Sequence, residues 1–134
     1  MITYTTTASD VTPEALEGFF VGWERKLTPE SHLRVLQGSD YVVLAKDGEK
    51  VVGYITAITD KVISAYVPLL EVLPEYQKQG IGGELVRRML VLLKEFYMID
   101  LLCSENLQPF YGKFGMEQSP GMCMRNEDVL DKLI

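Results

Sequence analysis

A glycine-rich loop at residues 77–83 has the residue types needed to hold a phosphate group. The loop, Gln77-Lys78-Gln79-Gly80-Ile81-Gly82-Gly83, follows an apolar run and opens an amphipathic helical pattern. The first N–H groups of a helix have no partner within the helix, and the positive end of the helix dipole lies at the same place. Glycine also lets backbone approach a ligand closely. The sequence therefore predicts that N–H groups of this loop bind the phosphates of a cofactor.

The spacing of this loop differs from that of the two common nucleotide-binding loops. A P-loop needs Gly-x-x-x-x-Gly-Lys-Ser/Thr, whereas Gly83 and Glu84 follow Gly82. A dinucleotide-binding fingerprint needs a third glycine where Leu85 stands. We therefore expect a different phosphorylated ligand.

The spacing Gln77-x-x-Gly80-x-Gly82 resembles the Gln/Arg-x-x-Gly-x-Gly/Ala element of the GNAT superfamily of acyl-CoA-dependent N-acetyltransferases. A second segment, Pro109 to Met116, is similar to the Phe-Tyr-x-Lys-x-Gly-Phe segment of that superfamily. The two motifs occur in the family's order, and the resemblance extends over about residues 41–125.

The resemblance implies an α/β (α+β) GNAT fold, with a single mixed central sheet of about six to seven strands, a splayed parallel pair and about four flanking helices. It implies acetyl-CoA as co-substrate, with no metal, and direct transfer of an acetyl group to a primary amine in a ternary complex. The N–H of Val72 is expected to bond the thioester oxygen. The other residues expected around CoA are Leu70, Leu73, the loop from Gln77 to Gly83, Phe110, Lys113 and Asn106, with Ser104 at the family's usual asparagine position.

Three side chains are candidates for the acid–base chemistry of acyl transfer to an amine. Tyr111 stands at the tyrosine position of the second motif, and a phenol with a pKa near 10 can protonate the leaving thiolate. Glu71 is a lone charge in an apolar run, where burial is expected to raise its pKa towards that of a useful base. Tyr66, on the same strand, lies near where some family members carry a glutamate base. The alternatives are a tyrosine packed beneath the sheet, a structural carboxylate and a pocket-lining residue, respectively.

An aromatic group near the N-terminus is a candidate wall for the acceptor site. The resemblance places Phe20 and Trp23 in the region that overhangs this site, while helical spacing favours core burial for Phe19 and Phe20. The single histidine, His32, is expected on a helix surface, which leaves no basis for a metal site or a histidine triad.

Turn signals and hydrophobic periodicity predict the order of the elements. The predicted elements are a strand at 2–7, a helix beginning at Thr12-Pro13, a helix from Thr28-Pro29 to about Gln37, hairpin strands at 41–45 and 50–58, a strand at 62–73 interrupted at Pro68, a helix at 81–96, a strand at 98–103, a short helix at 107–114, and strands at 116–118 and 122–125.

Composition fits one domain over residues 1–134, with 47% hydrophobic residues. The net charge of −6 and the scattered basic residues argue against a nucleic-acid partner, and the acidic charge favours a cationic amine. No apolar run approaches the roughly 20 residues that span a bilayer, and the N-terminus lacks signal-peptide features, so we expect a cytoplasmic protein without a membrane partner. Cys103 and Cys123 are expected as buried thiols. Strands near the carboxyl end could pair two copies into a homodimer.

Three functions remain open at this point. The first is an acetyl-CoA-dependent transferase acting on a small-molecule or peptide amine, and the second is a catalytically silent acyl-CoA-binding sensor or partner domain. The third is a nucleotide-binding module unrelated to CoA. The tyrosine at position 111 favours the enzyme, and the second motif disfavours the third function.

Overall fold

A mixed sheet of six strands lies at the centre of the computed structural model, which describes residues 1–134. The strands are β1 (Ile2–Thr5), β2 (Tyr41–Asp47), β3 (Lys50–Thr59), β4 (Ser64–Tyr66), β5 (Leu70–Val72) and β6 (Met98–Asp100). They follow the order β1-β2-β3-β4-β6, and β5 pairs with β3 beside β4. The β4–β6 pair is parallel and the other pairs are antiparallel. The predicted mixed sheet with one parallel pair is therefore confirmed.

Four helices accompany the sheet. They are α1 (Pro29–Gly38), α2 (Ile81–Leu92), α3 (Gln108–Gly112) and α4 (Glu127–Leu130), with single 3₁₀ turns at Pro13–Leu16, Pro74–Tyr76 and Glu105–Leu107. The predicted cap of α1 is confirmed, because the hydroxyl of Thr28 accepts the N–H of Ser31 at 3.1 Å. No helix has the length and hydrophobicity needed to span a membrane.

The two faces of the sheet are covered by different helices. A Cβ on Gly53 of β3 would lie 3.2 Å from the side chain of Leu85 on α2. Tyr54, the next residue of β3, instead packs against the rings of Phe19 and His32. Because neighbouring residues of a strand point to opposite faces, α2 covers one face, and α1 with the preceding segment covers the other.

The predicted helix beginning at Pro13 is wrong beyond its first turn. Only Pro13–Leu16 is helical, and the following segment has left-handed backbone at Gly18 (φ 97), Phe20 (φ 65) and Gly22 (φ 85). A right-handed helix needs negative φ at each position, so the chain turns irregularly here. The aromatic side chains near residue 20 are thus carried by a loop.

The predicted strands at 116–118 and 122–125 are also wrong. These residues form no strand, so β6 is the last strand of the sheet. The helix α2 likewise ends at Leu92 rather than at residue 96. The prediction of buried thiols fails for Cys123, which is exposed, while Cys103 is half-buried; both are free.

Candidate active site

The strand predicted over residues 62–73 is divided at Pro68, and the division creates an opening in the sheet. Its first part, β4, pairs with both β3 and β6. Its second part, β5, pairs with β3 alone. Proline has no N–H and cannot continue a ladder. One edge of β5 is therefore open next to the carboxyl end of β6.

The backbone of Val72 faces this open edge. The N–H of Leu73 donates to Val52 of β3 at 2.9 Å, and backbone groups of successive residues point to opposite sides of a strand. The backbone N–H and C=O groups of Val72 and Leu70 therefore point away from β3. The side-chain amide of Gln77 donates to the carbonyl of Val72 at 2.9 Å, which supports this orientation. The N–H of Val72 stays available to an acceptor on a ligand.

The loop before α2 is held in an open turn by two left-handed residues. Lys78 has φ 65 and Gly80 has φ 85. The side-chain amide of Gln79 donates to the carbonyl of Glu75 at 3.4 Å, which links the loop to the preceding 3₁₀ turn. Gln77 was predicted to face the pyrophosphate, yet one of its amide donors is engaged with β5, so it links the loop to the open edge.

The N-terminus of α2 presents free donors beside that edge. The first hydrogen bond of the helix runs from the N–H of Glu84 to the carbonyl of Gly80 at 3.1 Å. The preceding N–H groups, those of Ile81, Gly82 and Gly83, therefore have no partner within the helix. Gly80 at the N-cap has no side chain to occupy them. An anion such as a pyrophosphate would find three aligned N–H groups here.

Aromatic side chains of α3 lie over this helix N-terminus. A Cβ on Gly82 would lie 3.8 Å from both the ring of Phe110 and the side chain of Val72, and one on Gly83 would lie 3.7 Å from Phe114. Gly82 thus marks the point where β5, α2 and α3 come together. The two motifs singled out in the sequence, which begin at Gln77 and Pro109, meet at this one place in the fold.

Tyr111 lies next to Phe110 on α3, with the two ring centroids 5.0 Å apart. Burial, with a smaller contribution from nearby Cys103, raises the pKa of the Tyr111 phenol above 10.0. The phenol is therefore protonated at neutral pH and can donate a proton or a hydrogen bond. Tyr66 ends β4 two residues before Pro68 and is half-buried. The catalytic roles of both tyrosines stay predictions.

Glu71 points from β5 to the face that carries α1. Its carboxylate accepts the backbone N–H of Phe20 at 3.0 Å and that of Val21 at 3.1 Å. Tyr54 stands opposite Glu71 in the β3–β5 register, and burial, then the charge of Glu71 and a hydrogen bond to it, raise the pKa of the Tyr54 phenol. These are the contacts expected of a structural carboxylate. A role as base stays a prediction.

His32 is buried, with 1% of its surface exposed, so the prediction of a surface histidine is wrong. Its ring packs edge-on against Tyr54 at 4.6 Å and Phe20 at 4.8 Å, and neither ring nitrogen has a hydrogen-bond partner. Burial lowers its pKa to about 4. The ring lines a cavity of about 210 Å³ that also includes Lys26. The spacing of His32 and Leu36, one helical turn apart on the buried side of α1, is the signal that identifies it.

Phe20 and Trp23 differ in their access to solvent. Phe20 is 2% exposed, whereas Trp23 is 45% exposed, and their rings lie 5.1 Å apart. Trp23 lines a groove of about 420 Å³ between residues 23–25 and 125–133. Arg25 and Asp131 form an ion pair across the two segments. Trp23 is thus the accessible member of the predicted aromatic wall, and Phe20 supports it from the core.

Two other residues predicted near CoA lie around α3. Asn106 is in the turn before α3, where its side-chain oxygen accepts the hydroxyl of Ser104 at 2.6 Å. Lys113 is exposed at the C-terminal end of the helix. Their contacts with a cofactor stay predictions. The chain contains no group of three or more His, Cys, Asp or Glu side chains placed to hold a metal ion.

Comparison with protein families gives a match over most of the chain. The model of the Acetyltransferase (GNAT) family matches residues 8–116. Among curated proteins, GCN5-related N-acetyltransferase 3, chloroplastic, from Arabidopsis thaliana is 36% identical over an alignment of 76 residues that covers 55% of this chain and 32% of that protein. The chain thus spans about a third of the length of that curated relative.

Solved structures with the same fold include two of high similarity. A proposed acetyltransferase from Deinococcus radiodurans R1 is 39% identical with a TM-score of 0.91, covering 95% of this chain and 90% of that chain. A GNAT-family acetyltransferase from Streptococcus pneumoniae TIGR4 is 33% identical with a TM-score of 0.76, covering 95% of this chain and 99% of that chain.

Proposed function

Because this chain belongs to the GNAT acetyltransferase family, which transfers acyl groups from acetyl-CoA, we propose that it acetylates a primary amine by direct transfer in a ternary complex. The observation that carries the proposal is the position of Val72. Its backbone faces the open edge of β5, and its side chain meets Phe110 at Gly82, beside the free N–H groups of α2. The open edge at Val72 suits a thioester, and the N-terminus of α2 suits a pyrophosphate.

The donor is held by backbone more than by side chains. Pantetheine, which has amide groups along its length, can pair with Leu70 and Val72 as a short added strand. The pyrophosphate lies at the N–H groups of Ile81, Gly82 and Gly83, where the helix dipole favours negative charge. The N–H of Val72 donates to the thioester oxygen and stabilises the charge that develops there when the amine attacks.

The transfer needs two proton movements. An alkylamine arrives as an ammonium ion, so it loses one proton before its nitrogen attacks the thioester carbon. Formation of the C–N bond gives a tetrahedral intermediate, and the nitrogen then loses its second proton. The intermediate collapses to the amide as the C–S bond breaks. Tyr111 donates its phenolic proton to the departing sulfur and regains one from solvent. Its raised pKa keeps this proton in place at neutral pH.

Glu71 is the candidate for collecting the amine protons. Each of its oxygens accepts one backbone N–H, from Phe20 or Val21, and an ionised carboxylate oxygen has a further lone pair for water. A water between Glu71 and the amine would relay the proton. Tyr66, at the end of β4, is the second candidate for such a relay.

The acceptor amine is proposed to enter beside Trp23. This side chain lines an open groove and belongs to the segment that the Glu71 carboxylate holds in place through Phe20 and Val21. The net charge of −6 would favour a cationic amine through its long-range field.

The alternative is a domain that binds acyl-CoA without turning it over, and one paired experiment separates the two. Acetyl-CoA binding is measured by isothermal titration calorimetry, and free thiol release is followed with polyamines, aminoglycosides, amino acids, arylalkylamines and peptide amines. Binding together with amine-dependent thiol release supports the transferase. Binding without thiol release from any of these amine classes favours the silent domain, and no binding overturns both.

A further inference from the structure

The cavity of about 210 Å³ beside His32 contains a buried polar side chain that has no partner. The ring of His32 is 1% exposed, and neither of its nitrogens makes a hydrogen bond. Burial lowers the pKa of His32 to about 4, so the ring is neutral at pH 7 and offers one N–H donor and one acceptor nitrogen. Unpaired buried groups destabilise the folded chain, and a ligand that pairs with them recovers this free energy when it binds.

Apolar side chains form the wall of the cavity. They are Leu16, Phe19, Phe20 and Leu27. The rings of Phe19 and Phe20 stand edge-on to His32, with centroids 5.3 and 4.8 Å away. A space of this size holds on the order of ten non-hydrogen atoms. The interior therefore suits a small apolar body, and an aromatic ring is a favourable one beside these two phenylalanines.

The group that meets His32 is best supplied by a ligand rather than by water alone. An ordered buried water usually makes about three hydrogen bonds, whereas a water on His32 would face apolar side chains on its other sides. A hydroxyl group on an apolar ligand avoids this mismatch. It can donate to the acceptor nitrogen or accept from the N–H, so it suits either tautomer of the ring.

The mouth of the cavity has one charge of each sign. Glu17 and Lys26 line the cavity, both are exposed, and neither takes part in an ion pair. Glu17 attracts an ammonium group, and Lys26 attracts a carboxylate. A ligand with these two groups side by side matches the mouth. An α-amino acid has this arrangement, with its side chain directed away from both charges.

The cavity is separate from the places proposed for the reaction. It shares no lining residue with the groove beside Trp23, and its lining includes no residue of β5, of the loop before α2 or of α3. The backbone N–H of Phe20 faces Glu71, whereas the ring of Phe20 packs on His32. A ligand in the cavity therefore contacts this loop rather than the open edge of β5.

We propose that this cavity binds a free α-amino acid whose apolar side chain ends in a hydroxyl group. The ammonium group lies at Glu17, the carboxylate lies at Lys26, and the hydroxyl forms a hydrogen bond with His32. Tyrosine is the member of this class whose ring also packs against Phe19 and Phe20. The binding involves no covalent step and does not depend on the proposed function.

The first test is a titration of the wild-type protein at pH 7, followed by NMR. His32 is the only histidine, so the imidazole signals in a proton–nitrogen correlation spectrum belong to it. L-Tyrosine is the probe, and L-phenylalanine, which lacks only the hydroxyl, is the matched control. Tyrosine should shift the imidazole signals and bind about tenfold more tightly than phenylalanine. Imidazole signals that do not move, or equal Kd values for the two amino acids, would overturn the proposal.

The second test separates the mouth of the cavity from its interior. Lys26→Glu should weaken both amino acids by a similar factor of about ten, because both carry the carboxylate that the new charge repels. Lys94→Glu, at an exposed lysine just after α2, is the matched control and should leave both Kd values unchanged.

His32→Leu should have a different effect, since it removes the partner of the hydroxyl and keeps the mouth. Tyrosine and phenylalanine should then bind with the same Kd, and the difference is read by calorimetric titration. The assignment is wrong if the leucine variant still prefers tyrosine, or if Lys26→Glu binds tyrosine as tightly as the wild type does.

Discussion

The carboxylate of Glu71 and the backbone N–H of Phe20 lie 3.0 Å apart, although the two residues are 51 positions apart in the chain. This contact ties the open strand β5 to the loop that carries Trp23. It also holds Phe20 in left-handed backbone, with φ 65, a conformation that costs free energy for a residue with a Cβ. One acidic side chain therefore fixes the position of the segment beside which we propose that the acceptor binds.

We expect Glu71→Gln to lower the free energy of unfolding by about 1 to 3 kcal/mol. The amide that replaces one oxygen is a donor, so it leaves an N–H of Phe20 or Val21 facing another N–H. Urea unfolding followed by circular dichroism measures the change. Glu75→Gln, at an exposed position near β5, is the control and should change stability little. If the two variants unfold alike, Glu71 does not hold the loop.

Gln77→Glu should weaken acetyl-CoA binding about tenfold, which corresponds to about 1.4 kcal/mol. A carboxylate cannot donate to the carbonyl of Val72, so the loop and the open edge lose their 2.9 Å link, and the added negative charge faces the pyrophosphate. Calorimetric titration with acetyl-CoA gives the Kd. Gln79→Glu adds the same charge to the same loop and loses only the 3.4 Å contact with Glu75, so an equal effect in both variants would show that the link to Val72 is not responsible for the loss.

Tyr111→Phe should reduce kcat by about 100-fold or more while the Kd for acetyl-CoA changes less than threefold. The variant keeps the ring that packs against Phe110 but cannot donate a proton to sulfur. Because burial raises the pKa of the phenol above 10.0, the wild-type rate should show no decline from loss of this proton below about pH 9. Tyr97→Phe, at an exposed tyrosine, is the control. Unchanged turnover would remove Tyr111 from the mechanism.

His32→Leu should raise the free energy of unfolding at pH 7 by about 1 kcal/mol or more. Leucine has a similar volume and removes two buried nitrogens that lack partners. The folded pKa of about 4 lies below the ordinary 6.5, so the unfolded wild type binds a proton that the folded state does not. Wild-type stability should therefore fall as the pH drops from 6.5 to 4, and the leucine variant should not show this decrease.

Thermal unfolding across this pH range measures the difference, with His32→Asn as a polar control. A leucine variant that is less stable than the wild type would mean that the ring has a partner in the cavity.

Local signals in the sequence predicted most of the elements that build the site. Thr28-Pro29 predicted the start of α1, the hairpin strands predicted at 41–45 and 50–58 correspond to β2 and β3, and apolar spacing predicted α2 with its glycine-rich start. These signals act within a few residues, so they survive in the folded chain. The break at Pro68 was also visible, because proline cannot take part in a ladder.

The features that the sequence did not predict depend mostly on contacts between residues far apart in the chain. The segment after Leu16 is held by Glu71. The helix signal at Thr12-Pro13 therefore did not predict that the helix ends after one turn. The residues from Met122 to Arg125 have strand-forming character, but the chain folds no strand beside them. The link between Gln77 and Val72 was hidden because the motif suggested a phosphate as its partner.

The strand β5 has three residues and lies between Pro68 and Pro74, and this arrangement bears on aggregation. Strands in globular proteins usually pair over about five or six residues, and proline ends pairing by lacking an N–H. A foreign strand would therefore find too few consecutive backbone groups at this edge to add stably, whereas a short ligand needs only one or two. The opening can stay accessible to small molecules in a crowded protein solution without nucleating polymers.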